Sequence, residues 1–238
     1  GWPGDRFIIG MVAANKGQPS RKNFAQQIEA FKLLHAKHPD ALLYLHTAVG
    51  TDFSGMNLQA FCLHHDLLFG RDIIIADQYR LITASYTNEQ MATIYRALDV
   101  LANVSKGEGF GLPIIEAESC GTPVIVGDWT AMGELCFGGW KIPREKAERS
   151  WEAYLAYQYV PRVRAVYEAM LLAYQQAGGE RLQAEARLGA LAYDAAAVTE
   201  RYWRPALEVI AERIADQQEG RALTVAYPLS PATKRAAA

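Results

Sequence analysis

Between Asp99 and Val126 the chain passes from an apolar segment through a glycine-rich turn into a short helix, then into a second apolar segment. The run Asp99-Val100-Leu101-Ala102-Asn103-Val104 reads as a buried strand. Ser105-Lys106-Gly107-Glu108-Gly109-Phe110-Gly111-Leu112-Pro113 then makes the turn and opens a helix, with Pro113 at a tolerated first-turn position. Gly121 reads as the helix C-cap, Pro123 blocks continuation, and Val124-Ile125-Val126 is the next strand. Such a unit belongs in a parallel sheet covered by helices. It places free backbone N–H groups beside two acids, Glu108 and Glu116, eight positions apart. Free N–H groups at a helix start suit an anion. An ionised carboxylate accepts from two neighbouring hydroxyls at once. A ligand carrying both phosphate and vicinal hydroxyls is a nucleotide or a sugar phosphate.

The same alternation extends over the preceding hundred residues. Phe7 to Val12 and Ala41 to His46 read as strands, with an amphipathic helix over residues 23–38 between them. A helix is expected over residues 57–68, and the third core strand at Tyr79 to Thr83; Ile73 to Ala76 has no assigned role. Thr87-Asn88-Glu89-Gln90 is a capping-box start for a helix to Ala97. Strands four, five and six fall at Val100 to Val104, Val124 to Val126 and Trp140 to Ile142. The fold class is α/β: a doubly wound, Rossmann-like parallel sheet of about six strands followed by C-terminal helices. Residues 144–160 read as irregular. A helix starts at Pro161 and another runs from Arg181 to Tyr193. Asp194 caps a further helix toward Gln217 with a break near Pro205. One domain over residues 1–218 and a disordered tail over 219–238 are expected.

In open α/β sheets ligands bind beyond the carboxyl ends of the strands, where strand order reverses. For the order 3-2-1-4-5-6 that point lies between strands one and four. The loop after strand one holds Lys16, Arg21 and Lys22, and the loop after strand four holds Glu108 to Leu112. The basic cluster and the glycine–acid motif therefore meet at one crevice. Basic residues at a helix start oppose its dipole, which favours a functional reading of Arg21 and Lys22 over a solvated one.

Composition narrows the options. Half of the 238 residues are hydrophobic and the formal charge is −2, so nothing points to nucleic acid as a partner. Three widely spaced cysteines read as reduced, in a cytoplasmic setting. No apolar run approaches the ~20 residues of a membrane span. No metal-ligand spacing such as H-E-x-x-H occurs, and G-x-G-x-x-G is absent after strand one, against a nicotinamide dehydrogenase. His46 ends strand two, where a core or loop histidine is favoured over the alternative of one facing the crevice. His64 and His65 read as surface residues, and Glu134 as a helix-end acid.

The string from Glu108 to Glu116, with Gly-Phe-Gly-Leu-Pro inside it, resembles the E-x7-E motif of retaining glycosyltransferases of GT-B fold, family 4. The following Ala117-Glu118-Ser119-Cys120-Gly121-Thr122-Pro123-Val124-Ile125-Val126 and the preceding Tyr95-Arg96-Ala97-Leu98-Asp99-Val100 are similar to that family too. The resemblance runs from about Phe7 to about Ile214 and matches only the donor-binding, C-terminal half. It implies a nucleotide diphosphate sugar as donor substrate, no further cofactor and no metal. An N-terminal acceptor-binding domain would be the partner, and peripheral membrane attachment would come through that domain. It implies that Lys22 and Lys16 clamp the diphosphate, although the family has Arg where Lys16 stands; Arg21 is the alternative partner. Glu116 would hold the ribose hydroxyls, Glu108 the donor sugar, and Gly109, Phe110, Gly111 and Leu112 the sugar and phosphate through backbone. Ser105 occupies a family Ser position, with Val104 in place of the usual Pro. The nucleobase is expected near Tyr79–Thr83, read by backbone groups. A non-catalytic nucleotide-sugar binding module and a GT-B sugar-nucleotide epimerase are the alternatives.

Overall fold

The computed structural model describes residues 6–17, 20–51, 54–152 and 155–218. Residues 1–5 and the expected tail 219–238 lie outside it. The chain falls into two compact units, residues 1–191 and 192–238.

The first unit is built on six parallel strands: β1 (Phe7–Val12), β2 (Ala41–His46), β3 (Ile73–Ile75), β4 (Val100–Asn103), β5 (Val124–Gly127) and β6 (Gly139–Ile142). Their order is β3-β2-β1-β4-β5-β6, and every pairing is parallel. Every residue of β1, β2, β4 and β5 is buried. That explains why these strands read as unbroken apolar runs: helices cover a parallel sheet, so no strand face alternates with water. The order reverses between β1 and β4.

Among the described residues the α-helices of this unit are α1 (Phe24–His35), α2 (Leu58–His64), α3 (Gln78–Ile82), α4 (Asn88–Arg96), α5 (Leu112–Ser119), α6 (Thr130–Glu134), α7 (Val163–Gln175) and α8 (Glu180–Ala190). α1 packs on α7, and α5 on α8. The capping box forms as expected: Gln90 N donates to Thr87 Oγ1 and Thr87 N to Gln90 Oε1.

Three expectations are corrected. Tyr79–Thr83 is not the third strand; the β-branched triplet Ile73–Ile75 is, paired in register with Leu43–Leu45 of β2. Asp77 then accepts from Arg80 N and starts α3, which leaves Tyr79 and Ile82 exposed. Short apolar runs do not distinguish strand from helix by period alone, and here χ1 stiffness at three consecutive Ile decides it. Residues 144–160 are not irregular: β7 (Ala147–Glu152) and β8 (Ala156–Pro161) form an antiparallel hairpin. Pro161 ends β8 rather than starting α7, which begins two residues later.

The second unit holds α9 (Ala195–Val198), a π-helical turn at Thr199–Trp203 and α10 (Arg204–Gln218). Asp194 caps α9 by accepting from Ala197 N. The expected break near Pro205 is the π turn, which runs directly into α10, where Pro205 is the second residue.

Candidate functional site

The crevice at the carboxyl ends of β1, β2 and β4 is assembled by two loops bonded to each other. Asn23, in left-handed conformation at φ 50°, begins α1 and donates through Nδ2 to Val104 O at 3.0 Å. Gln27, one turn on, donates to Lys22 O at 2.8 Å and accepts from Val104 N at 3.2 Å. Lys106 N donates to Arg21 O at 2.8 Å. The loop after β1 is therefore fixed to the loop after β4 by backbone and amide bonds before any charge is counted.

Glu108 lies inside this junction with its side chain 8% exposed. Its Oε1 accepts from Lys22 Nζ and Ser105 Oγ, each at 2.5 Å, and its Oε2 faces Arg21 Nη1 at 3.2 Å. Arg21 also donates to Gly107 O. Burial would raise the Glu108 pKa. The Lys22 bond, the Ser105 bond and the charges of Lys22 and Arg21 outweigh burial and hold it below the ordinary glutamate value. Glu108 N donates to Thr130 Oγ1 at 3.1 Å, and Trp129 Nε1 to Ser105 O at 3.0 Å. Four residues of this support, Asn23, Gln27, Trp129 and Thr130, were not singled out in sequence. Only Asn23 carried a local signal, as an Asn at a helix start, where left-handed backbone is tolerated.

Gly111 forms the N-cap of α5 at φ 103°, a conformation L side chains rarely adopt, and a Cβ there would lie 3.0 Å from Ile114 Cδ1. Gly109, Phe110 and Leu112 are exposed at the mouth of the turn. Glu116 is the fifth residue of α5. It is exposed and accepts from the buried Tyr95 hydroxyl at 2.7 Å. Burial first, and then Glu116, hold the Tyr95 phenol protonated. Pro113, one helical turn before Glu116 and on the same face, lines a cavity of about 350 Å³ with Ala13, Lys16, His46, Thr47 and Ile82.

His46 and Tyr44 meet at 2.8 Å between Nδ1 and the hydroxyl, and the Tyr86 ring stands edge-on 4.7 Å away. Burial pushes the His46 pKa down to about 4, so the imidazole is neutral near pH 7. Thr47 Oγ1 is buried and has no hydrogen-bond partner among the described residues. The expected reading of a base edge by the backbone of Tyr79–Thr83 meets a helix instead. Leu81 N and Thr83 N already donate to Asp77 O and Tyr79 O. That segment contributes the side chains of Leu81 and Ile82 to the cavity. Glu134 is the exposed last residue of α6, and His64 is exposed at the end of α2. Among the described residues no three His, Cys, Asp or Glu side chains gather as a metal site, and no helix is long and apolar enough to cross a membrane.

A family model described as "Glycosyl transferases group 1" matches residues 1–136. D-inositol 3-phosphate glycosyltransferase of Mycobacteroides abscessus is 46% identical over 54 residues, 23% of this chain and 12% of that protein. The enzyme of the same name from Saccharomonospora viridis is 36% identical over 81 residues, 33% of this chain and 19% of its own length. The matched stretches thus span under a fifth of these curated relatives. Among solved structures, the pneumococcal O-GlcNAc transferase GtfA in complex with UDP and GlcNAc superposes with TM-score 0.63 at 18% identity, over 87% of this chain and 36% of that one. Sucrose-phosphate synthase of Thermosynechococcus elongatus gives 0.63 at 20% identity, over 88% and 47%. The C-terminal domain of a group 1 glycosyl transferase (LpcC) from Francisella tularensis gives 0.53 at 19% identity, over 82% and 86%.

Proposed function

Because this chain belongs to the glycosyl transferases group 1 family, we propose that it supplies the donor-binding half of a retaining transfer from a nucleoside diphosphate sugar. The observation that carries the reading is the junction of Lys22, Arg21 and Glu108 at the switch point, beside an open cavity at the ends of β1 and β2. Departure of the nucleoside diphosphate builds negative charge on the β-phosphate. Lys22, Lys16 and the backbone N–H groups at the start of α5 stabilise that charge. A diphosphate draws Lys22 and Arg21 from Glu108, whose freed carboxylate then accepts from hydroxyls of the donor sugar. Glu108 orients and stabilises; the acceptor attacks on the face from which the diphosphate leaves. Glu116 takes the ribose hydroxyls, and the base enters the cavity beside His46 and Thr47. The lysine clamp supplies the charge that a divalent cation would otherwise bring, so binding of the nucleoside diphosphate is expected to survive chelator.

The acceptor is held mainly by a half that this chain does not match, and the fact that this chain covers only 36–47% of the GtfA and sucrose-phosphate synthase chains supports that division. α10 exposes Leu207, Ile210 and Ile214, a stripe at helical spacing that suits a further domain. Orientation of two reactants contributes ~7–11 kcal/mol of barrier lowering, so the chain alone should bind donor and transfer nothing. Supplying an N-terminal half should restore transfer, and Glu108→Ala should then remove most of it while leaving nucleotide binding largely intact. The full pairing of Glu108 also suits a binding module that never turns over. Absence of transfer in the restored protein would favour that second reading.

A further inference from the structure

The hairpin of β7 and β8 is physically continuous with the Glu108 loop. Tyr159 N donates to Lys106 O at 3.0 Å, two residues before Glu108. The Tyr159 ring packs on Trp129 at 5.6 Å, and Trp129 in turn bonds Ser105 O. In the hairpin register Tyr159 faces Arg149 and Tyr157 faces Trp151. Side chains two apart on a strand share a face, as do cross-strand partners. Tyr159, Arg149, Tyr157 and Trp151 therefore form one surface that starts at the Glu108 loop and runs outward, with about 7 Å between successive tyrosines.

The inner end of this surface is packed and the outer end is open. Trp151 is 58% and Tyr157 51% exposed. Their rings meet edge-on at 4.9 Å, and the Arg149 guanidinium lies over Tyr157 at 4.0 Å from its centroid. These contacts fix ring and guanidinium and still leave more than half of Trp151 exposed. We propose that Arg149, Trp151 and Tyr157 form a carbohydrate subsite that stacks a pyranose ring of the acceptor beside the donor loop.

A pyranose has an apolar C–H face and a rim of hydroxyls. An exposed indole held upright by a neighbouring ring offers a flat apolar partner for the first. A guanidinium pinned by stacking offers in-plane N–H donors for the second. Continuity with the Glu108 loop selects the acceptor rather than an unrelated glycan, and the acceptor role rests on the donor reading above. A second copy of the chain is the weaker occupant, because a two-fold contact centred here brings Arg149 against Arg149.

The test uses the ¹⁵N-labelled 238-residue chain and its five indole N–H signals. The Trp151 signal is assigned as the one missing from Trp151→Phe. Methyl glycosides of glucose, galactose, mannose and N-acetylglucosamine are titrated separately, and UDP and GDP are titrated into the same samples. The expected result is saturable movement of the Trp151 signal with at least one glycoside. Tyr157→Ala should weaken that response at least tenfold, read also on the Arg149 backbone amide, and leave nucleotide affinity unchanged. Movement of Trp151 with protein concentration alone, silence toward every glycoside, or a response indifferent to Tyr157→Ala would each overturn the subsite. The wild-type titration stands without the variant should Tyr157→Ala not fold. Loss of nucleotide binding with the glycoside response intact would remove the donor reading and keep the subsite.

Discussion

Glu108 is buried under Lys22, Ser105 and Arg21, whereas Glu116, eight positions later on the same turn and helix, is exposed and holds one tyrosine hydroxyl. A third acid, the second on α5, completes the comparison. Glu118 is fully buried, accepts from Phe137 N and Gly138 N through Oε1, and leaves Oε2 unpartnered among the described residues. Burial lifts its pKa to about 7; the two N–H bonds and the charge of Lys141 oppose that lift without cancelling it. Glu108 is buried too, yet its pKa is lowered. The difference is direct bonding to cations. Burial sets the penalty for a charge, and the partners within hydrogen-bond reach decide which protonation state survives it.

The largest expected effect follows from breaking the buried member. Glu108→Ala leaves Lys22 in its recess without a counter-charge and should cost about 3–5 kcal/mol of unfolding free energy, read by urea denaturation. A loss below about 1 kcal/mol would show that the pair is solvated in practice. The carboxylate also carries a pH signature. Its folded pKa is depressed, so its contribution is present above the unfolded value of about 4.3 and is lost as pH falls through the lower folded value. Glu108→Gln should flatten the stability profile in that acid window.

Glu118 should behave with the opposite sign. Its folded pKa is raised to about 7. The native state therefore binds the extra proton between about pH 4.3 and pH 7, and stability falls as pH rises through that window. Glu118→Gln should be more stable than the parent at pH 8 by up to about 3 kcal/mol, and nearly equal to it at pH 4. Equal stability of the two at pH 8 would show that the buried carboxylate is fully compensated.

Glu116→Ala should barely touch stability, costing about 1 kcal/mol through the Tyr95 hydroxyl, but should weaken nucleoside diphosphate binding by ~1–3 kcal/mol. Calorimetric titration of the variant checks this, and unchanged affinity would remove Glu116 from the ribose site.

Much of this was legible before the fold. The strands β1, β2, β4 and β5 are unbroken apolar runs because both sheet faces are covered, and the cap signals at Thr87 and Gly121 are local. The convergence of Lys22 with Glu108 followed from strand order alone. What sequence missed has physical reasons. β3 and α3 are short apolar pieces whose periods are ambiguous, and Asp77 settled the boundary. The hairpin alternates Arg149, Trp151, Tyr157 and Tyr159 with polar residues, a pattern that reads as irregular until the two strands are paired. Gln27 and Trp129 hold the site through bonds to backbone atoms many residues away, which no local pattern encodes.

The most direct test of the donor site is calorimetric titration of this chain with UDP and with GDP, each with and without EDTA, alongside Lys22→Ala. One of the two nucleotides should bind, with an affinity indifferent to chelator and at least tenfold weaker in Lys22→Ala. Failure of both to bind, or an affinity that collapses in EDTA, would contradict the account.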